Sequence, residues 1–551
     1  MTAFWPLLML RMRRDWVQVP VWVLSLASLV LLSVPAVATS FGSLPEREDL
    51  VRLAIGAPSV LMLRGVPKGA AVDALLFFQL FTYLAVMVAF MATFLAVRHT
   101  RAEEESGRAD VVGATMAVRV IPQLATVVHG LVACLLMGAA VAGAFLLGGF
   151  EVAGSLLCGA ALAATGTVFL GIGLLAAQVM RSSRGANGLA SAVIGVAFAL
   201  RAAGDASGSV NADGLSMTSA WPSWASPIGW AQQTSAFTAN DYTPLLLHVG
   251  LAAALFSSVV LLQQHRDIGS SLIPERTGCE HASVRLRGSL GLVWRLQWPV
   301  IMGWVLTGFL FGLLAGTLGQ TVLELVKSNA EVLAALNSIA ANPAAEGATG
   351  PGFVTDGAII DVFVAAMFSI VGVVAAAAAM QTMIRMRQEE LSASAELLLS
   401  TPITRIRWLV GYLLVGVVAA VLVMLVAVGG AIVGLARSAD AADRFATVAQ
   451  AGLAQLPAAL LLLAITALLV ALVPRWSVGI SWGALFLALF VGQFGALLGL
   501  SDAARAVSPF THTPLVTEAN TDWSAAIGML ALALAVAALA GIGIRRRDLA
   551  R

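Results

Sequence analysis

Residues 389–405 are EELSASAELLLSTPITR, a polar stretch that lies between two long apolar segments. An earlier stretch, residues 103–119, is EEESGRADVVGATMAVR, and the two stretches align without a gap. Identical or similar residues coincide along the alignment: Glu103 with Glu389, Glu104 with Glu390, Ser106 with Ser392, Ala109 with Ala395, Asp110 with Glu396, Thr115 with Thr401 and Arg119 with Arg405. The repeated stretch predicts that the chain is an internal duplication.

Each copy is predicted to form a short charged helix. The positions expected to pack against the protein are Leu391, Ala395 and Leu398 in the second copy and Ala109 and Val112 in the first. The carboxylates expected to stay exposed are Glu389, Glu390 and Glu396. Ser400, Thr401 and Pro402 are expected to begin the next helix. A solvated loop is the simpler interpretation, but two copies at equivalent places favour a surface for a partner outside the membrane.

The composition indicates an integral membrane protein. Hydrophobic residues make up 59% of the chain and charged residues only 11%, against about 25% charged in soluble domains. The formal net charge of +2 and the absence of a basic, aromatic pattern exclude a nucleic-acid binder. The cysteines predict no disulfide framework, because Cys134 and Cys158 lie in apolar segments, and Cys279 near His281 is a weak candidate for a metal pair.

Apolar stretches of about 20 residues predict an all-α fold with twelve transmembrane helices. The first six are expected at 17–41, 71–97, 123–148, 152–180, 186–203 and 244–263, and the second six at 298–320, 357–383, 408–436, 450–473, 478–500 and 524–544. The polar stretch follows the second helix of each set. The chain is therefore interpreted as two parallel six-helix halves, residues 1–263 and 291–551, joined by a cytoplasmic linker, residues 264–290.

The first apolar segment has two interpretations. Three arginines between positions 11 and 14, then an apolar run and Ala36-Val-Ala38, resemble a secretory signal. A retained span is favoured, because the run is long enough to cross the bilayer and residues 4–8 suggest an interfacial helix ahead of it. A similar pattern recurs at residues 293–299, inside the chain, where it cannot be a cleaved signal.

The positive-inside rule gives an orientation. With the N-terminus in the cytoplasm, most of the 32 lysine and arginine residues lie on the cytoplasmic side, together with both polar stretches, the linker and the C-terminus. Two long segments, 204–243 and 321–356, then lie outside. They are equally compatible with an external vestibule and with plain connecting loops.

The sequence lacks the phosphate-binding motif of an ATPase. Lysine occurs only at Lys68 and Lys327, neither of them after glycine, so a Gly-Lys-Ser/Thr phosphate loop is absent. Any energy from ATP must therefore reach the chain from another subunit.

Ion coupling is also disfavoured. Ion-driven exporters usually carry an ionisable group inside the membrane, but Asp73 and Asp361 fall at the outer ends of spans, where an interfacial position is expected. His129 and His248 fall within spans, where hydrogen-bonded packing is expected rather than a proton relay.

At the repeated stretch the sequence resembles a known family. Glu-Glu, then Gly-Arg-x-Asp or an equivalent, then an apolar stretch and Thr-Pro-x-Thr-Arg before Trp408, is similar to the coupling helix of type-2 ABC exporter permeases. Six plus six helices, with Ser226-Pro-Ile-Gly-Trp230 in the last external segment of the first half, resemble the actinobacterial polyketide-antibiotic exporters of the tetronasin-resistance type. The copies differ, with Met116 in place of Pro402 and Gly107-Arg in place of Ala393-Ser, so they are expected to engage a partner differently.

The resemblance implies a translocation subunit without cofactors of its own. Its halves would form a pseudo-dimer over two copies of a separate ATP-binding subunit, which holds ATP and Mg. ATP-driven closure would act on the two coupling helices and switch a cavity from inward to outward opening. The implied coupling residues are Glu103, Glu104, Gly107, Arg108, Asp110 and Arg119 in the first copy and Glu389, Glu390, Glu396, Thr401, Pro402 and Arg405 in the second.

The same resemblance implies that the second and fifth spans of each half line the substrate pathway. An apolar and adaptable lining suits large hydrophobic substrates. The candidate lining residues are Phe77, Phe81, Met87, Phe90 and Phe94 in the second span and Phe363, Met367 and Phe368 in the eighth. For any single one of them, helix packing or lipid contact is the simpler role.

The sequence is thus interpreted as a multi-pass permease of a bacterial inner membrane. It would belong to an ABC exporter that extrudes hydrophobic drugs or polyketide-like antibiotics. Three alternatives stay open: a permease for an endogenous lipid or cell-envelope component, a non-transporting ATP-coupled regulator of an envelope enzyme, and an ion-driven antiporter. The modest size of the external segments disfavours the regulator.

Overall fold

The computed structural model describes residues 4–40, 42–56, 58–114, 120–265, 271–273, 288–328, 356–436, 444–494, 501–514 and 522–547. These residues are almost entirely α-helical. The chain forms two compact units, Met1–Thr277 and Gly278–Arg551. The boundary between the units falls inside the segment 264–290 that the sequence analysis treats as a linker.

The described residues include eleven helices that are long and apolar enough to cross a membrane. The expectation of an all-α integral membrane protein is therefore confirmed. A further apolar helix, Ser477–Phe494, covers most of the predicted eleventh span, and the rest of that span, 495–500, lies outside the described residues. The total of twelve spans stays a prediction.

The first unit contains twelve helices within its described residues. In chain order they are α1 Phe4–Arg14, α2 Gln18–Ser40, α3 Leu44–Gly56, α4 Pro58–Arg64, α5 Val72–Arg98, α6 Arg101–Glu105, α7 Arg108–Gly113, α8 Val120–Leu147, α9 Val152–Val179, α10 Ser183–Ala206, α11 Pro227–Gln233 and α12 Pro244–His265. Between α10 and α11 lie the strands β1 Ser209–Val210 and β2 Met217–Thr218, which pair antiparallel, and a 3-10 helix, Trp221–Ala225.

The second unit contains eight α-helices in its described part. They are α13 Ser289–Ser328, α14 Asp356–Leu391, α15 Ser394–Leu399, α16 Arg405–Leu435, α17 Phe445–Leu472, α18 Ser477–Phe494, α19 Asp502–Arg505 and α20 Ser524–Arg546. A 3-10 helix, Pro509–His512, precedes α20. The serines ahead of Pro227 and Pro509 both cap the turn that follows, because Ser226 Oγ accepts from Gly229 N and Ser508 Oγ accepts from Phe510 N.

The same helices pack together in both units. In the first, α9 packs against α5, α8 and α12, and in the second, α17 packs against α14, α16 and α20. Each unit has its own hydrophobic core, built mainly from alanine, leucine, valine and phenylalanine side chains of these helices.

Small residues bring some helices into backbone contact. In the second unit, Gly308, Gly312 and Gly316 of α13 lie against backbone of α16 at Val423, Ala427 and Ala431. A Cβ atom added to any of the three would approach a carbonyl oxygen of α16 too closely. Membrane helices commonly associate through such small residues, because lipid offers no hydrophobic driving force between them.

The starts of the two units differ. The predicted interfacial helix is present as α1, with Leu8 buried and Trp5 exposed, and a turn at Asp15 separates it from α2. The similar pattern at 293–299 lies within the single helix α13, which runs through Pro299 without a corresponding turn.

The segment 204–243 is folded onto the first unit. Arg201 and Asp205 are fully buried and form an ion pair, with Arg201 Nη1 3.2 Å from Asp205 Oδ2. The hydroxyls of Ser219 and Ser223 both donate to Asp205 Oδ1 at 2.7 Å. Arg201 Nη2 also donates to the Met62 carbonyl at 2.7 Å. These contacts hold the segment against α4 and α10. The choice between a vestibule and a connecting loop stays open.

We expect Asp205→Asn to destabilise the first unit by about 3–5 kcal/mol, because the substitution leaves Arg201 buried without a counter-charge. Thermal unfolding of the detergent-purified chain measures the effect. Asp49→Asn is the matched control, since Asp49 is exposed and, among the described residues, forms its ion pair with Arg52 of its own helix at 3.3 Å. Equal unfolding temperatures for the two variants would show that the Arg201 charge is compensated by other groups.

Candidate functional site

The repeated polar stretch forms a bend in each unit, which we call the first elbow (residues 101–114) and the second elbow (residues 387–400). The sequence predicted one short helix per copy, and this is wrong. Each elbow contains two helical segments, α6 and α7 in the first and the end of α14 with α15 in the second. A left-handed residue separates them at the same place in the alignment: Gly107 with φ 71° and Ala393 with φ 58°.

The left-handed residue explains the two-part structure. Glycine adopts this backbone conformation freely, whereas alanine does so at a cost of about 1–2 kcal/mol. The turn is supported in the same way in both elbows, because Ser106 Oγ donates to Glu103 O at 3.1 Å and Ser392 Oγ donates to Glu389 O at 3.3 Å. The matching serines of the alignment thus have a local structural role.

Each elbow contains an Arg–Glu ion pair at its start. Arg101 Nη1 is 2.6 Å from Glu104 Oε2, and Arg387 Nη1 is 2.6 Å from Glu390 Oε2. Both arginines are buried. The sequence analysis missed them, although extending the alignment by two residues places Arg101 on Arg387. The two pairs therefore stabilise the helical segment that precedes the left-handed residue of each elbow.

The expected exposure of Glu389 and Glu390 is wrong. Both residues are over nine-tenths buried. Glu389 accepts hydrogen bonds from the Tyr412 hydroxyl at 2.6 Å and from Trp408 Nε1 at 3.2 Å. Glu390 pairs with Arg547 as well as with Arg387. The side chains that cover these carboxylates come from α16 and from the residue after α20, so the local charge pattern cannot show their burial.

The other residues of the second elbow partly follow the expected pattern. Glu396 is exposed and Ala395 is buried, as predicted, and Leu398 packs partly against the core. Leu391 is 65% exposed and does not pack, contrary to expectation.

The helix after the second elbow begins later than predicted. Its N-cap is Thr404, whose Oγ1 accepts from Arg407 N at 3.3 Å, so the expectation that Ser400, Thr401 and Pro402 start the helix is wrong. Thr401 and Pro402 lie in the connection between α15 and α16, where the Thr401 hydroxyl donates to Leu398 O. Arg405 is the first residue of α16 and donates to the carbonyl of Arg547.

The first elbow has different partners. Glu103 pairs with Arg14 of α1 and, at 3.0 Å, with Arg108 Nε. Both carboxylate oxygens of Glu105 contact Ser183 at the start of α10, accepting from its backbone N at 2.8 Å and from its hydroxyl at 2.5 Å. Arg108 and Asp110 are exposed, Ala109 and Val112 are half-buried, and Arg119 lies outside the described residues.

A polar cluster stands beside the first elbow. Asp15 Oδ2 is 2.5 Å from His99 Nε2 and 3.0 Å from His129 Nε2, and all three residues are buried. Burial alone would raise the pKa of Asp15, but hydrogen bonds from His129 and His99, with the charges of His99 and Arg98, lower it far below its usual range. Arg98 Nη1 lies 3.1 Å from Asp15 Oδ1.

Among the described residues, Asp15, His99 and His129 are the group with the composition of a metal site. Two observations favour a hydrogen-bonded network instead. The separations from Oδ2 to the two ring nitrogens are hydrogen-bond distances, and the Arg98 guanidinium already occupies the other carboxylate oxygen. His248 is likewise hydrogen-bonded, to the Pro227 carbonyl at 2.9 Å. The pair Cys279 and His281 lies outside the described residues.

The candidate pathway residues occupy several environments. Phe77 and Phe81 are buried in the core of the first unit, with ring centroids 4.6 Å apart, and Phe368 is buried in the core of the second. Met87 and Phe94 are exposed on α5, and Phe90, Phe363 and Met367 are half-buried. Their role in a pathway stays a prediction.

The fold defines a class: a multi-pass, all-α membrane protein. Comparison with known proteins agrees. Residues 286–545 match the family model described as the C-terminal domain of the multidrug efflux system permease Rv1217c. The chain is also 32% identical to the multidrug efflux system permease protein Rv1217c of Mycobacterium tuberculosis (strain ATCC 25618 / H37Rv), over 98% of this chain and 94% of that protein. The chain therefore belongs to the Rv1217c family of multidrug efflux system permeases.

Proposed function

We propose that this chain is the translocation subunit of an ATP-driven ABC exporter of type 2, of the tetronasin-resistance kind. It would cross the bacterial inner membrane twelve times, with both termini in the cytoplasm, as two six-helix halves arranged as a pseudo-dimer. The observation that carries the proposal is the repeated elbow. Each unit has a left-handed residue and an Arg–Glu pair with a buried arginine at aligned positions after its second span.

The elbow geometry suits the transmission of force. The Arg101–Glu104 and Arg387–Glu390 pairs and the serine hydrogen bonds stabilise each elbow internally. Glu105 joins the first elbow to Ser183 of α10, and Glu389 joins the second to α16. The second elbow begins within α14, so the helix that enters the membrane is the same helix that ends in the elbow. A partner that displaces the elbow therefore displaces the spanning helix, on which the candidate pathway residues lie.

The partner we propose is an ABC ATP-binding subunit, present in two copies per chain, that binds ATP and Mg. The two elbows offer it different surfaces, because the first exposes Arg108 and Asp110 whereas the second exposes Leu391 and Glu396. The proposed cargo is a hydrophobic drug or polyketide-like antibiotic. The relative named as a multidrug efflux permease and the aromatic and methionine side chains on α5 and α14 support this class.

We expect the double variant Asp110→Asn with Glu396→Gln to stay folded but to weaken coupling. The substitutions remove one exposed charge from each elbow, so ATP hydrolysis stimulated by drug should fall about tenfold, equivalent to about 1.4 kcal/mol. The measurement is ATPase activity of the reconstituted complex, with export of a fluorescent hydrophobic drug from cells as a second measurement.

The matched control is Glu48→Gln with Asp49→Asn, which removes one half-buried and one exposed carboxylate from α3, both paired with Arg52. This control should keep normal activity. Unchanged activity of the elbow variant would contradict the proposal, and drug-insensitive hydrolysis by the unmodified complex would favour an endogenous lipid or envelope component as cargo.

A further inference from the structure

A cleft of about 620 Å³ opens in the first unit between α1 and the first elbow. One part of its wall is apolar and includes Leu7, Leu10 and Pro122. Another part is polar and carries both signs of charge, with Gln123 beside three arginines and three carboxylates: Arg11, Arg14, Arg108, Glu103, Glu104 and Asp110. The cleft is therefore amphipathic, and it lies beside a helix whose Trp5 and Leu10 are over three-fifths exposed.

Two hydrogen-bond donors in the cleft wall lack partners. Arg11 Nη1 and Gln123 Nε2 are buried and have no acceptor within the described residues. Gln123 is 5% exposed. Arg11 makes one long hydrogen bond from Nη2 to the His99 carbonyl, at 3.5 Å. Buried donors are normally paired, so both atoms call for an acceptor that the described residues do not supply.

The charge of Arg11 is also uncompensated. Arg14 and Arg108, which line the same cleft, both pair with Glu103. Arg11 has no carboxylate within ion-pair distance in the part of the chain that the structure describes. Burial lowers the pKa of Arg11 to about 10, which leaves it cationic at neutral pH. An anion is the ligand that this residue lacks.

We propose that the cleft binds the phosphate group of an anionic phospholipid, with Arg11 and Gln123 as donors and Leu7 and Leu10 beside the acyl chains. A guanidinium and an amide are suitable donors for a phosphate oxygen. The exposed apolar side chains of α1 suit the boundary between head groups and acyl chains, where an amphipathic helix lies in the membrane surface. This proposal does not depend on the proposed exporter function, because it concerns a bound lipid and not the cargo or the ATPase.

The test uses the full purified chain in phosphatidylcholine nanodiscs that contain increasing fractions of phosphatidylglycerol. Retention of phosphatidylglycerol by the chain, measured by native mass spectrometry after release, gives an apparent affinity. We expect Arg11→Gln to lower this affinity about tenfold or more, as for the loss of a charge-assisted hydrogen bond. Arg13→Gln is the matched control, since Arg13 is exposed on the same helix and does not line the cleft.

Two further measurements keep the test decisive. Gln123→Leu should weaken retention without changing any charge, and a photoactivatable phosphatidylglycerol should label α1 or α8 of the unmodified chain. Equal loss in the Arg11→Gln and Arg13→Gln variants would overturn the proposal in favour of unspecific attraction by basic residues. Stabilisation of the chain by inorganic phosphate, with no preference for phosphatidylglycerol, would show a free-anion site and also overturn it.

Discussion

The substitution Gly312→Val is expected to prevent correct packing of the second unit. Gly312 of α13 faces the backbone of α16, and a Cβ atom there would overlap the carbonyl oxygen of Ala427. A backbone atom inside a helix cannot rotate away as a side chain can, so the two helices would have to separate. We expect a loss of about 3 kcal/mol or more, seen as a collapse in the yield of monodisperse, detergent-soluble protein.

Gly303→Val is the control for this prediction. Gly303 lies on the same helix, and a Cβ atom added to it meets nothing within 4 Å among the described residues. The two substitutions therefore add the same side chain to the same helix, one into contact and one into open space. Equal yields for both variants would show that α13 and α16 do not pack as described.

Glu390→Gln is expected to disrupt the second elbow. Its carboxylate is the counter-charge for both Arg387 and Arg547, and its side chain is almost completely buried. Breaking a buried ion pair by removing one partner costs about 3–5 kcal/mol, because the remaining charge stays desolvated. Thermal unfolding of the purified chain should show a lowered midpoint, and limited proteolysis should cut near α15.

Glu396→Gln is the matched control, since it makes the same chemical change six residues further on, at an exposed position of the same elbow. It should leave unfolding unchanged. The sequence analysis treats Glu390 and Glu396 alike, as exposed contact residues, and of the two only Glu396 is exposed in the structure. Identical unfolding of the two variants would mean that Glu390 is solvated in the folded chain.

The sequence predicted the positions of the spans and the elbows well. Apolar length and composition determine where a helix can cross a bilayer, and both are local properties of the chain. The alignment of 103–119 with 389–405 also placed Gly107 on Ala393, the two residues that adopt the left-handed conformation. The alignment thus located the bend. It did not predict the left-handed backbone there, because only one of the two aligned residues is a glycine.

The partners of the elbow residues could not be predicted in the same way. Glu389 is buried by Tyr412, 23 residues further along the chain, and Glu390 pairs with Arg547, 157 residues away. Such contacts depend on how helices pack, and charge patterns within one helix carry no record of them. The buried pair of Arg201 and Asp205 is a contact that the sequence could have predicted, because two opposite charges lie four residues apart in an apolar helix. The sequence analysis did not consider it.

The elbows combine a shared structure with different surroundings. Both have the bend, the serine hydrogen bond and the Arg–Glu pair, but the first is joined to α1 and α10 and the second to α16 and Arg547. A partner with two identical subunits would therefore meet two surfaces that share a geometry but not a chemistry. The elbow substitutions are expected to have unequal effects when they are made singly.

The proposal that the elbows bind an ATP-binding subunit is tested most directly by co-purification of this chain with an ABC ATP-binding subunit from the same genome. An ATPase assay in lipid, with and without hydrophobic drugs, follows. We expect a stable complex with two ATP-binding subunits per chain. Drug should stimulate its ATP hydrolysis, and the Asp110→Asn, Glu396→Gln double variant should weaken that hydrolysis. A permease that is folded and inserted but forms no complex with any such subunit would contradict the proposed role of the elbows.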